Sequence, residues 1–185
     1  MEPATSILAG KTILVVDDEK DILETIEDIL DESQIDTAAD YETAAQKIKD
    51  HSYDLAILDI MGVNGLELLD KTVAKEIPTV MLTAHAVNPD SLMASIRKGA
   101  MAYLPKETLS DLDELLERLL SAHDRGEPPW KLVFEELADY FNERFGPDWK
   151  ETDHAFWDDF DRKFQVSRGI QKRLLHNRNI IDKGI

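Results

Sequence analysis

Five short apolar runs recur through the first 105 residues, and helical patterns separate them. The runs are Thr12 to Val16, Ile35 to Ala39, Leu55 to Leu58, Pro78 through Val80-Met81-Leu82, and Ala102 to Pro105. Between the first two, Ile22, Leu23, Ile26, Ile29 and Leu30 fall on one helical face and predict a helix over Asp21–Glu32. Asp40 is placed to cap a second helix, Tyr41 to Lys49. Leu66, Leu68 and Leu69 mark a third helix after a loop carrying Gly62 and Gly65. Asn88-Pro89 opens a fourth by capping and first-turn proline logic, and Gly99 closes it. Ser110 with Asp113 reads as a capping box for a fifth, reaching about His123. Strands alternating with helices predict a parallel sheet, and the unbroken apolar run Leu55–Leu58 predicts its centre, covered on both faces.

The pattern changes at Gly126-Glu127-Pro128-Pro129, a stretch that stops helices and reads as a linker. The expected domains are therefore 1–125 and 126–185. All three tryptophans and all six phenylalanines lie beyond the linker. Trp130, Phe134, Leu137, Phe141 and Phe145 line one face of a predicted helix, which Gly146-Pro147 ends. Ala155, Phe156, Phe160 and Phe164 suggest a second. Two such helices bury little alone, so they are expected to pack on the first domain or on another subunit. Residues 162–185 carry 7 basic side chains and 1 acidic one, whereas residues 1–125 carry 11 and 26. The basic segment is expected to lie against acidic surface.

A net charge of -17 disfavours non-specific binding to nucleic acid or anionic membrane. With no cysteine, disulfides and thiol chemistry are excluded. No basic leader with an apolar core opens the chain, and no apolar run is long enough to span a bilayer. The expectation is a cytoplasmic protein without membrane insertion.

The polar residues that close the apolar runs carry the chemistry. Asp17 and Asp18 follow the first run, Asp59 the third, Thr83 the fourth, and Lys106 the fifth. In an open parallel sheet the ligand crevice lies outside the carboxyl ends of the strands, so these residues should converge. Asp17-Asp18 taken alone also reads as a helix N-cap pair, and Thr83 alone as an ordinary strand end. Together, three carboxylates repel one another unless a cation joins them, and hard oxygen ligands suit Mg2+. A carboxylate can attack phosphorus to form an aspartyl phosphate. Thr83 can donate to a phosphoryl oxygen, and Lys106 supplies the positive charge such a group needs.

The segments Ile-Leu-Val-Val-Asp17-Asp18-Glu, Leu-Ala-Ile-Leu-Asp59-Ile-Met, Val-Met-Leu-Thr83-Ala84 and Tyr103-Leu-Pro-Lys106 resemble, in order and spacing, the receiver domain of two-component response regulators. The resemblance covers roughly the first two-thirds of the chain. It implies a flavodoxin-like, doubly wound five-stranded parallel sheet of order 2-1-3-4-5, followed here by an α-helical extension. It implies that Asp59 takes a phosphoryl group from a histidine kinase or phosphotransfer protein. Asp18, Asp59 and the backbone carbonyl of Met61 would bind Mg2+ directly, and Asp17 through water. Thr83 and Tyr103 would be switch residues, and Ala84 would leave room for the phosphoryl group. No enzyme activity is expected beyond self-catalysed phosphorylation and autodephosphorylation.

Two departures from the family pattern bear on the site. Gly65 stands six residues after Asp59 where the family has eight, so the loop is shortened by two and lacks the usual proline. Glu107 follows Lys106 where the family often has proline after a cis bond, and cis before a non-proline residue costs about 3 kcal/mol. His85, two residues beyond Thr83, reads as a solvated loop residue. For output, the aromatic extension favours contacts with an unknown protein or a second copy of this chain. The alternative is a transcriptional regulator that binds DNA through the basic segment. A phosphatase on a similar sheet is disfavoured, because Met61 stands where a second aspartate would be needed.

Overall fold

A computed structural model of the chain describes residues 4–85 and 87–163. Its elements are β1 (Thr12–Val16), α1 (Lys20–Ile29), β2 (Gln34–Ala38), α2 (Tyr41–Asp50), β3 (Leu55–Leu58), α3 (Gly65–Ala74), β4 (Thr79–Thr83), α4 (Pro89–Lys98), β5 (Ala102–Pro105), α5 (Leu112–Asp124) and α6 (Pro129–Phe145). A helix over 154–163, here α7, follows. The strands are parallel in the order β2-β1-β3-β4-β5, the flavodoxin-like order expected from the sequence. The chain crosses β1 to reach β3 from β2. The order therefore reverses between β1 and β3, and a crevice opens at their carboxyl ends.

Burial explains why the strands were readable. Every residue of β3, β4 and β5 is buried, whereas β2, at the sheet edge, is largely half-exposed. The predicted caps form: Asp40 accepts from the Thr43 amide at 2.8 Å, Asn88 from the Ser91 amide at 2.9 Å, and Gly99 closes α4 at φ 95°. The Ser110–Asp113 capping box does not form. Residues Lys106–Asp111 instead make a 3-10 helix, its first turn tied by Thr108 Oγ1 donating to the Pro105 carbonyl at 2.7 Å, and α5 begins at Leu112. Helix α1 also ends earlier than Glu32. The Glu32 carbonyl turns out to accept the Gly10 amide at 2.9 Å.

On β2, Asp36 accepts from Lys47 Nζ and, at 2.6 Å, from the Tyr53 hydroxyl. Burial raises its carboxyl, but these bonds outweigh it and hold the group below its ordinary value. A carboxylate with a depressed folded-state pKa stabilises above its unfolded value and loses that contribution as the pH falls through the folded one. Asp36→Asn is therefore expected to cost about 1–2 kcal/mol near pH 7, with the gap to the parent closing below about pH 4 in urea titrations.

By packing, the chain divides into two compact units, Met1–Ala138 and Asp139–Ile185. The first thus extends past the linker at 126–129 and takes in the start of α6. Within it, Trp130 is 8% exposed and its indole N–H donates to the Ala100 carbonyl at 2.9 Å. Glu136 pairs with Arg118 of α5 at 2.6 Å, a surface contact of small energetic value. Within the second unit the aromatic residues cover one another. Trp149 lies edge-on to both Phe145 and Trp157, with centroids 5.1 Å apart in each case, and Phe141 stacks on Phe145 at 5.5 Å. Trp149 Nε1 donates to Asn142 Oδ1 at 3.0 Å, and Lys150 Nζ stands 5.1 Å from the Trp157 ring centroid. Phe141, Trp149 and Trp157 are buried, while Phe156 and Phe160 on α7 are half-buried. Of the basic segment, Arg162 and Lys163 end α7, where Lys163 pairs with Asp159 at 2.9 Å; Phe164 and the rest of the segment to Lys183 lie outside the described residues. Among the described residues no helix is long and apolar enough to cross a membrane.

Candidate functional site

The carboxyl ends of β1, β3 and β5 bring together residues 89 positions apart in sequence. Carboxylate oxygens of Asp17, Asp18 and Asp59 all lie within 4.8 Å of one another. Asp17 and Asp59 are 2% and 3% exposed, and Asp18 faces solvent. Lys106 reaches in from the end of β5 and is itself buried. Its Nζ lies 2.7 Å from Asp17 Oδ2, 2.8 Å from Glu19 Oε1 and 3.1 Å from Asp59 Oδ2. The remaining oxygens are anchored by backbone: the Glu19 amide donates to Asp17 Oδ1 at 2.9 Å and the Ile60 amide to Asp59 Oδ1 at 2.7 Å. These bonds fix the two buried carboxylates before any ligand arrives.

The electrostatics match this crowding. Burial pushes the Asp17 carboxyl above its ordinary value, against hydrogen bonds from Lys106 and the Glu19 amide that pull it down, and the neighbouring Asp59 charge adds to the rise. Burial lowers Lys106, but its hydrogen bonds to Asp17 and Glu19 and the charges of Asp59 and Asp17 prevail, so the ammonium is held above its ordinary range. Lys106 therefore stays charged near neutral pH. Its hydrogen bond also lowers the Glu19 carboxyl. Three carboxylates with one ammonium leave excess negative charge in a small volume. A divalent cation bound by oxygen suits that set.

The sequence pointed to Asp17, Asp18, Asp59 and Lys106 as one cluster, and the structure brings them together. Thr83 ends β4 and is fully buried; its register partner Pro105 immediately precedes Lys106. Ala84 follows half-buried, and His85 is exposed as expected. Tyr103 is buried in β5 and shares a hydrogen bond of 2.8 Å with Ser91 Oγ of α4. Tyr103 thus lies inward, with the Ser91 hydroxyl as its partner. Met61 follows Asp59 by two residues and is 54% exposed. The Lys106–Glu107 peptide is trans, as are the others among the described residues.

Two features escaped sequence reasoning. Glu19 lies just before the helix predicted from Asp21 and drew no reading, yet its side chain reaches Lys106, 87 positions away. The shortened loop after Asp59 is also tighter than glycine spacing alone suggests. A Cβ on Gly65 would stand 1.7 Å from the Asp59 carbonyl oxygen, and one on Gly62, at φ 78°, would stand 2.5 Å from the Asp18 carboxylate. The loop backbone thus closes directly over both acidic residues. Its brevity was the available signal.

A model of the response regulator receiver domain matches residues 13–120. Response regulator ArlR of Staphylococcus aureus is 34% identical over 112 residues, which cover 58% of this chain and 50% of ArlR. The chain thus matches about half the length of that relative. Among solved structures, a CheY-like receiver domain protein from Methanospirillum hungatei is 28% identical with a TM-score of 0.55, covering 63% of this chain and 99% of that one. The response regulator TrrA of Thermotoga maritima, solved with Mg2+ and beryllofluoride, is 36% identical with a TM-score of 0.51, covering 59% of this chain and 98% of its own. Receiver domains bind Mg2+ at an acidic pocket and take phosphoryl groups from histidine kinases. With the matching fold, strand order and acidic crevice, the chain belongs to the response regulator receiver family of two-component signalling.

Proposed function

We propose that the chain is a phosphorylation-controlled signalling protein whose phosphoacceptor is Asp59. One observation carries this reading: Asp59, at the end of the central strand, is 3.1 Å from a buried, charged lysine and within 4.8 Å of two further aspartates. One Asp59 carboxylate oxygen attacks the phosphorus of a phosphohistidine; the P–N bond breaks and the imidazole leaves with its electron pair. The Ile60 amide and Lys106 hold Asp59 for this attack. Lys106 then supplies the positive partner a phosphoryl oxygen needs, and Thr83, at the end of β4, would donate to another. Ala84 leaves room beside them. Asp18, Asp59 and the Met61 carbonyl would hold Mg2+ directly, with Asp17 through water. When bound, the cation neutralises charge that builds on the transferring group. The same reading implies self-catalysed labelling by a small phosphodonor and autodephosphorylation.

Exposure separates the three carboxylates. Asp17 and Asp59 are buried and each is tied to Lys106 and to a backbone amide, whereas Asp18 faces solvent. Asp18→Ala is therefore expected to weaken Mg2+ binding at least tenfold, about 1.4 kcal/mol, and more than Asp17→Ala does. Calorimetric titration of both variants checks this; equal affinity in the parent and Asp18→Ala would refute it.

Phosphorylation raises the population of the arrangement with Tyr103 inward and so biases the face made by α4, β5 and α5. The extension from residue 126 acts as an interaction module, a reading supported by the aromatic cluster that α6 and α7 carry within the second unit. Its partner is a protein, or a second copy of this chain.

A further inference from the structure

A continuous set of hydrogen bonds leaves Tyr103 and ends on the extension. The Tyr103 hydroxyl shares a bond with Ser91 Oγ at 2.8 Å. The Ser91 carbonyl accepts from Ser95 Oγ, one turn along α4, at 2.7 Å. The Ser95 carbonyl accepts the Ala100 amide at 3.0 Å, just past the left-handed Gly99 that ends the helix. The Ala100 carbonyl accepts the indole N–H of Trp130 at 2.9 Å. Ser91, Ser95, Ala100, Tyr103 and Trp130 are all buried, so each bond forms where water cannot replace it.

Trp130 is in the first turn of α6. The tie fixes the start of that helix to the turn joining α4 to β5. Those two elements carry both ends of the Tyr103–Ser91 bond. A shift of α4 relative to β5 must move the Ala100 carbonyl, or break its bond to the indole and leave a buried carbonyl unsatisfied. An unmade buried hydrogen bond is disfavoured, so the turn and the indole are expected to move together.

We propose that Trp130 is a positioning residue that couples the phosphoacceptor site to the extension: the α4–β5 turn grips its indole, and occupation of Asp59 changes that grip and thereby the placement of α6. This rests on the reading of Asp59 as phosphoacceptor. A chain of contacts is not itself coupling, so the test must measure coupling. The full chain is labelled with 5-fluorotryptophan, and its three indoles are assigned by single Trp→Phe substitutions. Beryllofluoride and Mg2+ are then added to saturation, and the 19F signal of bound beryllofluoride reports occupation independently. The Trp130 resonance is expected to shift in the parent. Ser95→Ala, which removes one link while leaving both ends in place, is expected to reduce the shift severalfold at full occupation. By reciprocity Trp130→Phe should change beryllofluoride affinity about fivefold, the lower end of typical couplings. Bound beryllofluoride with an unmoved Trp130 resonance, or an undiminished shift in Ser95→Ala, overturns the coupling and leaves the phosphoacceptor reading intact. Absence of any bound beryllofluoride signal overturns both.

Discussion

Asp59→Asn is expected to cut phosphoryl incorporation from a small phosphodonor at least about a hundredfold, near 2.7 kcal/mol in barrier, while leaving the protein folded. The amide keeps the shape of the carboxylate and still accepts from the Ile60 amide, but it is no nucleophile. Stability should change by less than about 1 kcal/mol, because Lys106 keeps Asp17 at 2.7 Å and Glu19 at 2.8 Å as partners. Removing one of several crowded negative charges even relieves repulsion at the crevice. Incorporation followed by mass spectrometry, with urea unfolding on the same samples, separates the two effects. Labelling at the parent rate would show that another residue takes the phosphoryl group.

The largest expected loss of stability comes from a single methyl group. Gly65→Ala would place its Cβ 1.7 Å from the Asp59 carbonyl oxygen and 2.9 Å from the Ile60 Cα. Neither obstacle is the end of a flexible side chain; both are backbone, in a loop with no slack. The loop must open or the start of α3 must retreat, at a cost of about 3 kcal/mol or more. Either movement displaces Asp59 and the loop carrying Met61, so Mg2+ affinity should fall with stability. Gly10→Ala is the natural control. It too has a positive φ, 73°, but nothing lies within 4 Å of the added carbon, so its cost should stay near 1 kcal/mol. Comparable losses in the two variants would mean that the loop after Asp59 is looser than this geometry.

Different parts of the molecule were legible in the sequence for different physical reasons. β1, β3 and β4 were legible because a doubly covered sheet demands unbroken apolar runs, and the residues closing those runs had to meet at one edge. The caps at Asp40 and Asn88 were legible because capping is local chemistry. Ser110 misled for the same reason. Its spacing to Asp113 fits a box, but Thr108 bonding back to Pro105 tightens the segment into a 3-10 turn first. Glu19 was hidden because its partner is remote in sequence, and an acidic residue at a helix start already has an ordinary explanation. The tie between Trp130 and Ala100 was hidden more deeply. Its acceptor is a backbone carbonyl, which every residue has, so no side-chain pattern could mark it. The helical spacing of Trp130, Phe134, Leu137 and Phe141 foretold α6, yet it could not say that the helix is shared between two compact units.

The central claim is that one phosphoryl group is accepted, at Asp59, with support from Mg2+. Borohydride reduces an aspartyl phosphate to homoserine, so the full chain can be treated with a small phosphodonor, reduced, digested and sequenced by mass spectrometry. The account predicts conversion at Asp59 alone, strong with Mg2+ and nearly absent when the metal is chelated. Conversion at Asp17 or Asp18, or no conversion anywhere in the presence of Mg2+, would contradict it.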